Sequence, residues 1–343
     1  PVLIYQTLGC FRLKTTLSMI LKSPSEIDIV KASSTKINGV DFENLAFGNT
    51  FTDHMLICDF KEGKWQKPII KPYEPFLIDP SAKVFHYGQA IFEGMKAYKD
   101  TNDDVWLFRP DQNFDRFNKS AVRMAMPEVP ENIFLDGLNT LLDIEREWVK
   151  KGQGNSLYIR PFMIAIGSGV IAQPSTQYRF MIILSPARSY YSGEVKVIIA
   201  EHYSRAANGG IGAAKAAGNY SAQFYPQKLA QEQGFQQIIW TDDATHTKLE
   251  EAGTMNVFFR INDTLYTAPT SERILDGVTR KSLIELAKRE GINVEVRSIL
   301  VDELVAAAKD GSLKEIFGAG TAAVVSPIKG FAYKDEYFEF RIE

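Results

Sequence analysis

A tract rich in glycine and alanine, with one lysine in it, interrupts the second half of the sequence. It runs from Arg205 to Tyr220 as RAANGGIGAAKAAGNY, and the lysine is Lys215. Small residues on both sides of one lysine suit a site where a bulky planar ligand lies against the backbone. A lysine that forms a Schiff base must also lose its proton, which desolvation or nearby positive charge favours. A flexible loop with a solvated lysine is the alternative, and composition alone does not choose between the two.

The same tract does not match the phosphate-binding loop of nucleotide hydrolases. That motif is G-x-x-x-x-G-K-[ST], whereas Gly209, Gly212 and Lys215 are spaced differently. Ala216 follows the lysine, where the motif needs a hydroxyl group that binds magnesium. We therefore expect no nucleotide-binding loop of this type here.

Length and composition indicate an ordinary globular protein of two domains. The chain has 343 residues, of which 45% are hydrophobic and 24% are charged, and its net charge is −3. This charge gives no electrostatic footprint for nucleic acid or an anionic membrane, and the apolar runs are too short to span a bilayer. The two cysteines, Cys10 and Cys58, lack the paired spacing of a metal site and fit a reducing compartment such as the cytoplasm.

A change of pattern near residue 190 predicts the domain boundary. Residues 186–193, PARSYYSG, have the composition of a linker. We expect a smaller α/β domain at 26–187, a linker at 188–193 and a larger domain at 194–343 that carries Lys215. Residues 1–25 contain basic residues but no acidic one, which is typical of organelle-targeting segments. An unstructured extension explains the same residues, and we favour it.

Hydrophobic periodicity predicts strands and helices along the whole chain. Strands are expected at 46–60, 235–241 and around GAGT at 315–326, and an amphipathic helix at 133–150. Val105 to Phe108 is predicted to be a strand that ends at Arg109, and Pro110 then forces a break before a helix.

Three features of the sequence could together hold a phosphorylated aromatic aldehyde. Gly277 to Thr279 offers backbone N–H groups at the start of a predicted helix, which favours an anion. The turn at 318–321 adds a hydroxyl donor, and Arg109 adds a planar cation. Each feature alone is more often structural, because a glycine before a helix usually only caps it. Glu251, beside a glycine turn, is likewise more often a solvated surface carboxylate.

Eight stretches of the sequence, in the same order along the chain, resemble the branched-chain amino-acid aminotransferases, which are pyridoxal-phosphate enzymes of fold-type IV. They span most of residues 47–337 and are specific as a set. They are FGNTFTDHML (47–56), HYGQAIFEGMKAY (86–98), LFRP (107–110), SLYIRP (156–161), GNYSAQ (218–223), EEAGTMNVFF (250–259), ILDGVTRKSL (274–283) and EIFGAGTAAVVSP (315–327). The resemblance implies a mixed α/β, two-domain architecture with pyridoxal 5'-phosphate between the domains. It also implies a homodimer or a higher homo-oligomer.

The resemblance implies a cofactor role for each matching residue. Lys215 resembles the lysine that forms the Schiff base, and Glu251 resembles the acid that keeps the pyridine nitrogen protonated so that the ring accepts electrons. Tyr220 resembles the tyrosine that is hydrogen-bonded to the phenolic oxygen of the cofactor ring. The positions that match phosphate contacts, or the residue packed on the ring, are Arg109, Arg205, Leu275, Val278, Thr279 and Thr321.

The substrate pocket is implied in the same way. The matching positions are Phe47, Tyr87, Phe92, Tyr158, Arg160, Tyr190, Thr254 and Ala322. Their aromatic walls suit the side chains of leucine, isoleucine and valine, while Arg160 matches an arginine associated with the distal carboxylate of glutamate. The implied reaction moves an amino group from a branched-chain L-amino acid to 2-oxoglutarate in two half-reactions, giving a branched 2-oxo acid and L-glutamate.

Three departures from the family's pattern qualify the resemblance. Ala323 and Ser326 stand where some relatives have a C-x-x-C pair, so we expect no thiol switch there. Residues 167–173, which in the family reach toward the partner subunit's pocket, are one residue shorter than in some relatives. The chain ends at Glu343, where the family usually continues into a terminal helix, so we expect either a shortened end or a local failure of the resemblance.

Two alternative functions remain open from the sequence. A D-amino-acid aminotransferase or an aminodeoxychorismate lyase would use the same scaffold, although FTDHM and FEGMKAY argue against both. A catalytically idle, ligand-binding homologue would have lost the lysine, the acid or the phosphate turn, and all three are present in the sequence.

Overall fold

The computed structural model describes residues 27–188, 195–322 and 324–339 in full, and residues 10–12 as backbone. The chain divides into two compact units, Pro1–Tyr190 and Tyr191–Glu343. Most of residues 1–25, the linker positions 189–193, Ala323 and the end of the chain lie outside the described residues, so the predicted domain limits stay a prediction. Among the described helices, none has the length and apolar character needed to cross a membrane.

The first unit is organised around one ten-stranded sheet. Its strands are β1 (Cys10–Arg12), β2 (Asp28–Ile29), β3 (His54–Lys61), β4 (Lys64–Trp65), β5 (Ile69–Pro72), β6 (Ala90–Phe92), β7 (Met95–Lys99), β8 (Val105–Phe108), β9 (Ser156–Ala165) and β10 (Tyr178–Ala187). Its α-helices are α1 (Lys83–Tyr87), α2 (Pro110–Arg123) and α3 (Gly137–Ile144). The strand order is β1-β8-β7-β9-β10-β3-β5-β2, with β4 beside β3 and β6 beside β9.

The core of the first unit lies between this sheet and the helices α2 and α3. Phe117, Phe134 and Phe180 are fully buried, and their ring centroids lie 5.4 to 5.5 Å apart. Burial of an aromatic side chain of this size stabilises the fold by roughly 1.5–3 kcal/mol. The opposite face of β9 carries Tyr158 and Arg160, which leaves that face of the sheet for a site.

The second unit contains a sheet that closes on itself. Its strands are β11 (Val195–Ile199), β12 (Gln237–Thr241), β13 (Lys248–Ala252), β14 (Met255–Ile261), β15 (Thr264–Thr267), β16 (Asn293–Val296), β17 (Ile299–Leu300), β18 (Leu313–Gly320), β19 (Val324–Tyr333) and β20 (Glu336–Glu339). Its helices are α4 (Gly218–Glu232), α5 (Val278–Arg289) and α6 (Val301–Lys309). The order β14-β18-β19-β11-β12-β13, with β13 also paired to β14, forms a closed ring of six strands.

The interior of this ring is apolar, and its rim is made of tight turns. Val197, Val257 and Phe331 are among the fully buried residues that fill it. Gly253 turns β13 into β14 at a φ of +51°, and a Cβ there would lie 1.7 Å from the Gln237 side chain. A larger residue would therefore clash as well as strain the backbone, which explains why the EEAGT turn needs glycine.

Three predicted elements differ in the structure. The strand expected at 46–60 begins only at His54, because residues 46–53 form turns and bonds to other segments. The helix expected at 133–150 is α-helical only at Gly137–Ile144; residues 132–136 are a π-helix, and a 3-10 turn follows Glu145, whose carboxylate is bonded to His54. The strand expected at 315–326 is two antiparallel strands, β18 and β19, because the chain turns at Thr321. The strand at 235–241 and the break at Arg109 are confirmed.

Candidate active site

Lys215 lies where the small-residue tract meets helix α4. The helix begins at Gly218, so Tyr220 is in its first turn, and the Lys215 Nζ donates a hydrogen bond to the Tyr220 hydroxyl at 3.1 Å. The lysine is half-buried. A lysine and a tyrosine five residues apart are brought together because the chain changes from loop to helix between them.

The tract is held by hydrogen bonds rather than left as a free loop. The Asn219 side chain donates to the carbonyls of Ile211 and Ala214 at 2.9 and 2.7 Å, and the Ala213 N–H donates to the Glu272 carbonyl at 2.8 Å. A Cβ at Gly212 would lie 2.7 Å from the Arg273 carbonyl oxygen. Glycine is needed there because two backbones approach too closely for a side chain.

Glu251 is a buried acid on strand β13. Its Oε2 accepts hydrogen bonds from the Asn256 side chain at 3.2 Å and from the Leu275 N–H at 3.4 Å. Its Oε1 lies 2.8 Å from Nη1 of Arg205, an ion-pair contact that lacks the alignment of a hydrogen bond. Burial raises the pKa of the Glu251 carboxyl, against the opposing positive charges of Arg205 and Lys215. The structure thus excludes the solvated-carboxylate alternative for this residue.

Helix α5 begins beside Glu251 with a glycine at its N-cap. Gly277, as the N-cap residue, has no side chain that could cap the helix. The N–H groups of the first turn, which includes Val278 and Thr279, have no intrahelical acceptor. A Cβ at Gly277 would lie 1.9 Å from Oδ1 of Asn256, whose amide group also donates to the Leu275 carbonyl at 3.0 Å. Glycine therefore brings this helix start close to the acid.

Three further predicted residues lie at a pair of adjoining turns. Thr254 is exposed in the turn between β13 and β14, and its carbonyl oxygen lies 3.5 Å from where a Cβ of Gly320 would be. Thr321 and Ala322 form the next turn and are half-buried. The second unit therefore collects its predicted residues around the strand ends of one ring and the start of α5.

The first unit collects an aromatic and cationic cluster on the face of β9. Nη2 of Arg160 donates to the Tyr158 hydroxyl at 2.8 Å, and the guanidinium lies 4.4 Å from the Phe92 ring centroid. Phe47 meets Tyr158 edge-on at 4.8 Å. Nε of Arg160 is buried and has no hydrogen-bond partner among the described residues, so it could still donate to an anion.

The remaining predicted residues of the first unit are described separately from the cluster on β9. Arg109 has a φ of +48° at the junction of β8 and α2, a left-handed conformation that is uncommon for arginine and typical of functional sites. The Tyr87 hydroxyl donates to the Val170 carbonyl. Tyr190 lies outside the described residues.

Sequence reasoning missed four residues that shape these clusters. Gly94 lies against Tyr158, because a Cβ there would be 2.4 Å from the tyrosine hydroxyl. Lys96 is buried opposite Tyr158 in the β7–β9 pair, and burial lowers its pKa to about 8. Asn256 orients Glu251, and Arg273 contacts the tract. The alternation of FEGMKAY could have placed Lys96 on the Tyr158 face, but no local signal marks Asn256 or Arg273.

Comparison with known proteins gives a consistent family. The model of the amino-transferase class IV family matches residues 90–331. The branched-chain-amino-acid transaminase 1 of Bacillus subtilis is 48% identical over 293 residues, which cover 84% of this chain and 82% of that protein. The branched-chain-amino-acid aminotransferase of Mycolicibacterium smegmatis is 42% identical, with 86% of this chain and 83% of that protein covered.

Solved structures share the fold. The branched-chain aminotransferase of Thermoproteus uzoniensis, solved with norvaline, superposes with a TM-score of 0.68 at 23% identity, covering 84% of this chain and 90% of that one. The branched-chain amino acid aminotransferase of Thermobaculum terrenum, in its PLP-bound holo form, superposes with a TM-score of 0.64 at 22% identity, covering 80% of this chain and 85% of that one. The mixed α/β architecture predicted from the sequence is confirmed.

Proposed function

Because this chain belongs to the class IV aminotransferases, we propose that it is a branched-chain-amino-acid transaminase. It transfers the amino group of L-leucine, L-isoleucine or L-valine to 2-oxoglutarate and yields the branched 2-oxo acid and L-glutamate. The observation that carries the proposal is the position of the Lys215 amine. It is hydrogen-bonded to the Tyr220 hydroxyl and close enough to the buried Glu251 carboxylate for the two charges to interact.

Pyridoxal 5'-phosphate fits the residues of the second unit. Oε1 of Glu251 is a buried acceptor without an aligned donor among the described residues, which suits a protonated ring nitrogen. The start of α5, with a glycine at its N-cap, suits a phosphate group, and Thr279 is in its first turn. Lys215 would bond the aldehyde and Tyr220 would contact the ring oxygen. We also assign phosphate contacts to Arg109, Val278 and Thr321, and ring packing to Leu275. Arg205, which is paired with Glu251, adds a further positive charge near the phosphate.

The residues divide the chemical work between them. When bound, the cofactor supplies an electron-withdrawing ring that stabilises the negative charge left on the substrate carbon. The amine of Lys215 takes the proton from that carbon, and the nearby Tyr220 hydroxyl orients the amine. Glu251 would hold the proton on the ring nitrogen, and the burial of its carboxylate would strengthen that interaction.

The first unit supplies the residues for the side chain of the substrate. Phe47, Phe92 and Tyr158 provide apolar walls for a branched aliphatic group. Arg160, whose Nε has no partner among the described residues, provides the charge that a second carboxylate needs when glutamate occupies the same pocket. Thr254 and Ala322 are assigned to the substrate from the second unit, and Tyr87 and Tyr190 to the pocket's margin.

A panel of amino acids tests the function. With 2-oxoglutarate as acceptor, L-leucine, L-isoleucine and L-valine should exceed L-alanine in kcat/KM by at least about tenfold, because each buried methylene adds roughly 0.8 kcal/mol. D-alanine and aminodeoxychorismate should give no product. Preference for D-alanine or lyase activity would replace the proposal with one of those rival reactions.

The Arg160→Met variant is the control for pocket assignment in the same panel. Methionine keeps much of the apolar volume over Phe92 but removes the charge. The kcat/KM for glutamate should fall by about 10²-fold or more, and that for leucine by less than about tenfold. Equal losses for both substrates would contradict the role given to Arg160.

We further propose that the chain works as a homodimer in the cytoplasm, through the loop at 167–173. This loop is tied to α1 and to the residues just before it: Lys83 Nζ donates to the Ile171 carbonyl at 2.6 Å, and the Gly169 N–H donates to the Ser81 hydroxyl. Its Val170 and Ile171 side chains are nevertheless 65% and 67% exposed. Anchored, exposed apolar side chains of this kind are typical of an interface between protein subunits.

Sedimentation velocity tests the dimer. The wild-type chain should sediment as a dimer, and a Val170→Asp/Ile171→Asp variant should sediment as a monomer at micromolar concentration, because a buried unpaired charge opposes association. Val122→Asp is the matched control, since Val122 is 62% exposed on α2. A fully active wild-type monomer would rule the dimer out.

A further inference from the structure

Residues 271–275 join the lysine tract to the buried acid. On one side, the Glu272 carbonyl accepts from the Ala213 N–H at 2.8 Å, and Oε2 of Glu272 accepts from the Gly209 N–H at 2.8 Å. On the other side, the Leu275 N–H donates to Glu251 at 3.4 Å. One short segment therefore sets the distance between the tract that carries Lys215 and the acid.

Within this segment, the charged side chain of Arg273 links Glu250 to the lysine tract. Its Nε donates to Oε1 of Glu250 at 2.6 Å, and its Nη1 donates to Oδ1 of Asn208 in the tract. Its side chain is only 16% exposed and that of Glu250 only 6%. Nη1 also lies 3.5 Å from Asp243, whose Oδ2 accepts the Asn208 N–H at 3.2 Å. The guanidinium thus spans from a strand residue next to Glu251 to the far end of the tract.

The Arg273 backbone fixes the cation that faces the acid. Its carbonyl oxygen accepts from Nη1 of Arg205 at 2.6 Å, and that Nη1 lies 2.8 Å from Oε1 of Glu251. A Cβ at Gly212 would lie 2.8 Å from the Arg273 Cα, so the tract passes directly over this residue. Side chain and backbone therefore hold the tract at two separate points.

We propose that Arg273 is a positioning residue, which through Glu250 and Asn208 holds the Lys215 tract in register with Glu251. The inference rests on the proposed function only for the identity of the cofactor that the tract binds. Removal of the guanidinium breaks its hydrogen bond to the Asn208 side chain in the tract and also leaves the buried Glu250 without its counter-charge. The first effect loosens the tract, whereas the second only disturbs charge balance, so the two are separable by experiment.

Amide hydrogen exchange of the full chain, with and without pyridoxal 5'-phosphate, tests the inference. In Arg273→Gln, the amides of residues 206–214 should exchange about tenfold faster than in the wild type without cofactor, because a charged hydrogen bond that holds the tract is lost. The dissociation constant for pyridoxal 5'-phosphate, from absorbance titration, should rise by a similar factor. Amides of β14 should keep their wild-type rates.

Two variants separate positioning from charge balance. Glu250→Gln/Arg273→Gln removes both charges of the ion pair, so the net charge is that of the wild type, but the hydrogen bond to Asn208 is still missing. Its tract amides should exchange as fast as those of Arg273→Gln. Asn208→Ala changes an exposed residue, leaves every charge in place and removes only the hydrogen bond between Arg273 and the Asn208 side chain. It should therefore reproduce the faster exchange even if Arg273→Gln folds poorly.

The control is Arg260→Gln, which breaks another arginine–glutamate pair with a 2.6 Å contact, at 45% and 48% exposure on β14 and β18. It should leave both the exchange rates and the cofactor affinity unchanged. Wild-type exchange in Asn208→Ala, or recovery of wild-type exchange in the double variant, would overturn the positioning role. Failure of the wild-type chain to bind pyridoxal 5'-phosphate would instead refute the proposed function, while the exchange rates would still decide the role of Arg273.

Discussion

Lys215→Ala is expected to abolish transamination while the protein stays folded. The amine is assigned both the bond to the cofactor and the transfer of the substrate proton, and alanine can do neither. Loss of a nucleophile or a general base that acts as part of a unit costs at least about 10⁴-fold in kcat/KM. The fold should tolerate the change, because the variant loses one hydrogen bond to Tyr220 in a tract already rich in alanine, roughly 0.5–1.5 kcal/mol.

Reduction and peptide mapping make this prediction specific to one position. Sodium borohydride treatment of the wild-type holoprotein, followed by mass spectrometry, should place the cofactor on the peptide that contains Lys215. Lys215→Ala should carry no such label and should show an altered visible absorption band. Lys228→Ala, which removes a lysine 72% exposed on the same helix as Tyr220, should keep both label and activity. A label on any other lysine would contradict the assignment.

The sequence predicts the helices and strands of this protein better than it predicts where they end and where the chain turns. Patterns of period two and 3.6 predict β8, β12 and the helix α2, because burial of one face is a local property of sequence. The turn at Thr321 splits an apolar run that looks like a single strand, since glycine and alanine carry little strand or turn preference of their own. The 3-10 turn after α3 follows Glu145, whose contact with His54 joins residues 91 positions apart.

The candidate site divides in the same way. Lys215, Glu251 and the helix start at Gly277 are marked by local chemistry: an isolated amine, a carboxylate beside a glycine turn and a glycine N-cap. Tyr220 is indicated by the family resemblance alone. Asn256, which orients Glu251, and Arg273, which braces the tract, are ordinary polar residues in their own segments. Their importance comes from contacts that form only when distant strands and loops meet, so no single-sequence pattern indicates them.

Glu251→Gln is expected to keep the cofactor but lose most of the activity. The carboxylate is assigned to hold a proton on the ring nitrogen, so that the ring accepts electrons when the substrate proton leaves. Glutamine has nearly the same shape but cannot hold that proton. Loss of one preorganised electrostatic group of this kind lowers kcat by roughly 10²–10³-fold.

The surroundings of Glu251 make the substitution more than a loss of charge. The Asn256 amide and the Leu275 N–H donate to one carboxylate oxygen of this side chain, and Arg205 lies against the other. The amide nitrogen of glutamine must face at least one of them. We therefore expect a fall in affinity for pyridoxal 5'-phosphate of less than about tenfold, much smaller than the fall in kcat.

The ratio of these two effects is the measurement that decides the role of Glu251. Absorbance titration gives the affinity, and single-turnover kinetics with L-leucine gives the rate of the first half-reaction free of product release. Glu315→Gln, which neutralises a carboxylate 48% exposed on β18, should match the wild type in both. If Glu251→Gln instead loses the cofactor and turns over normally when saturated with it, the buried acid serves binding alone. Proton control at the ring would then have to come from another group of the second unit.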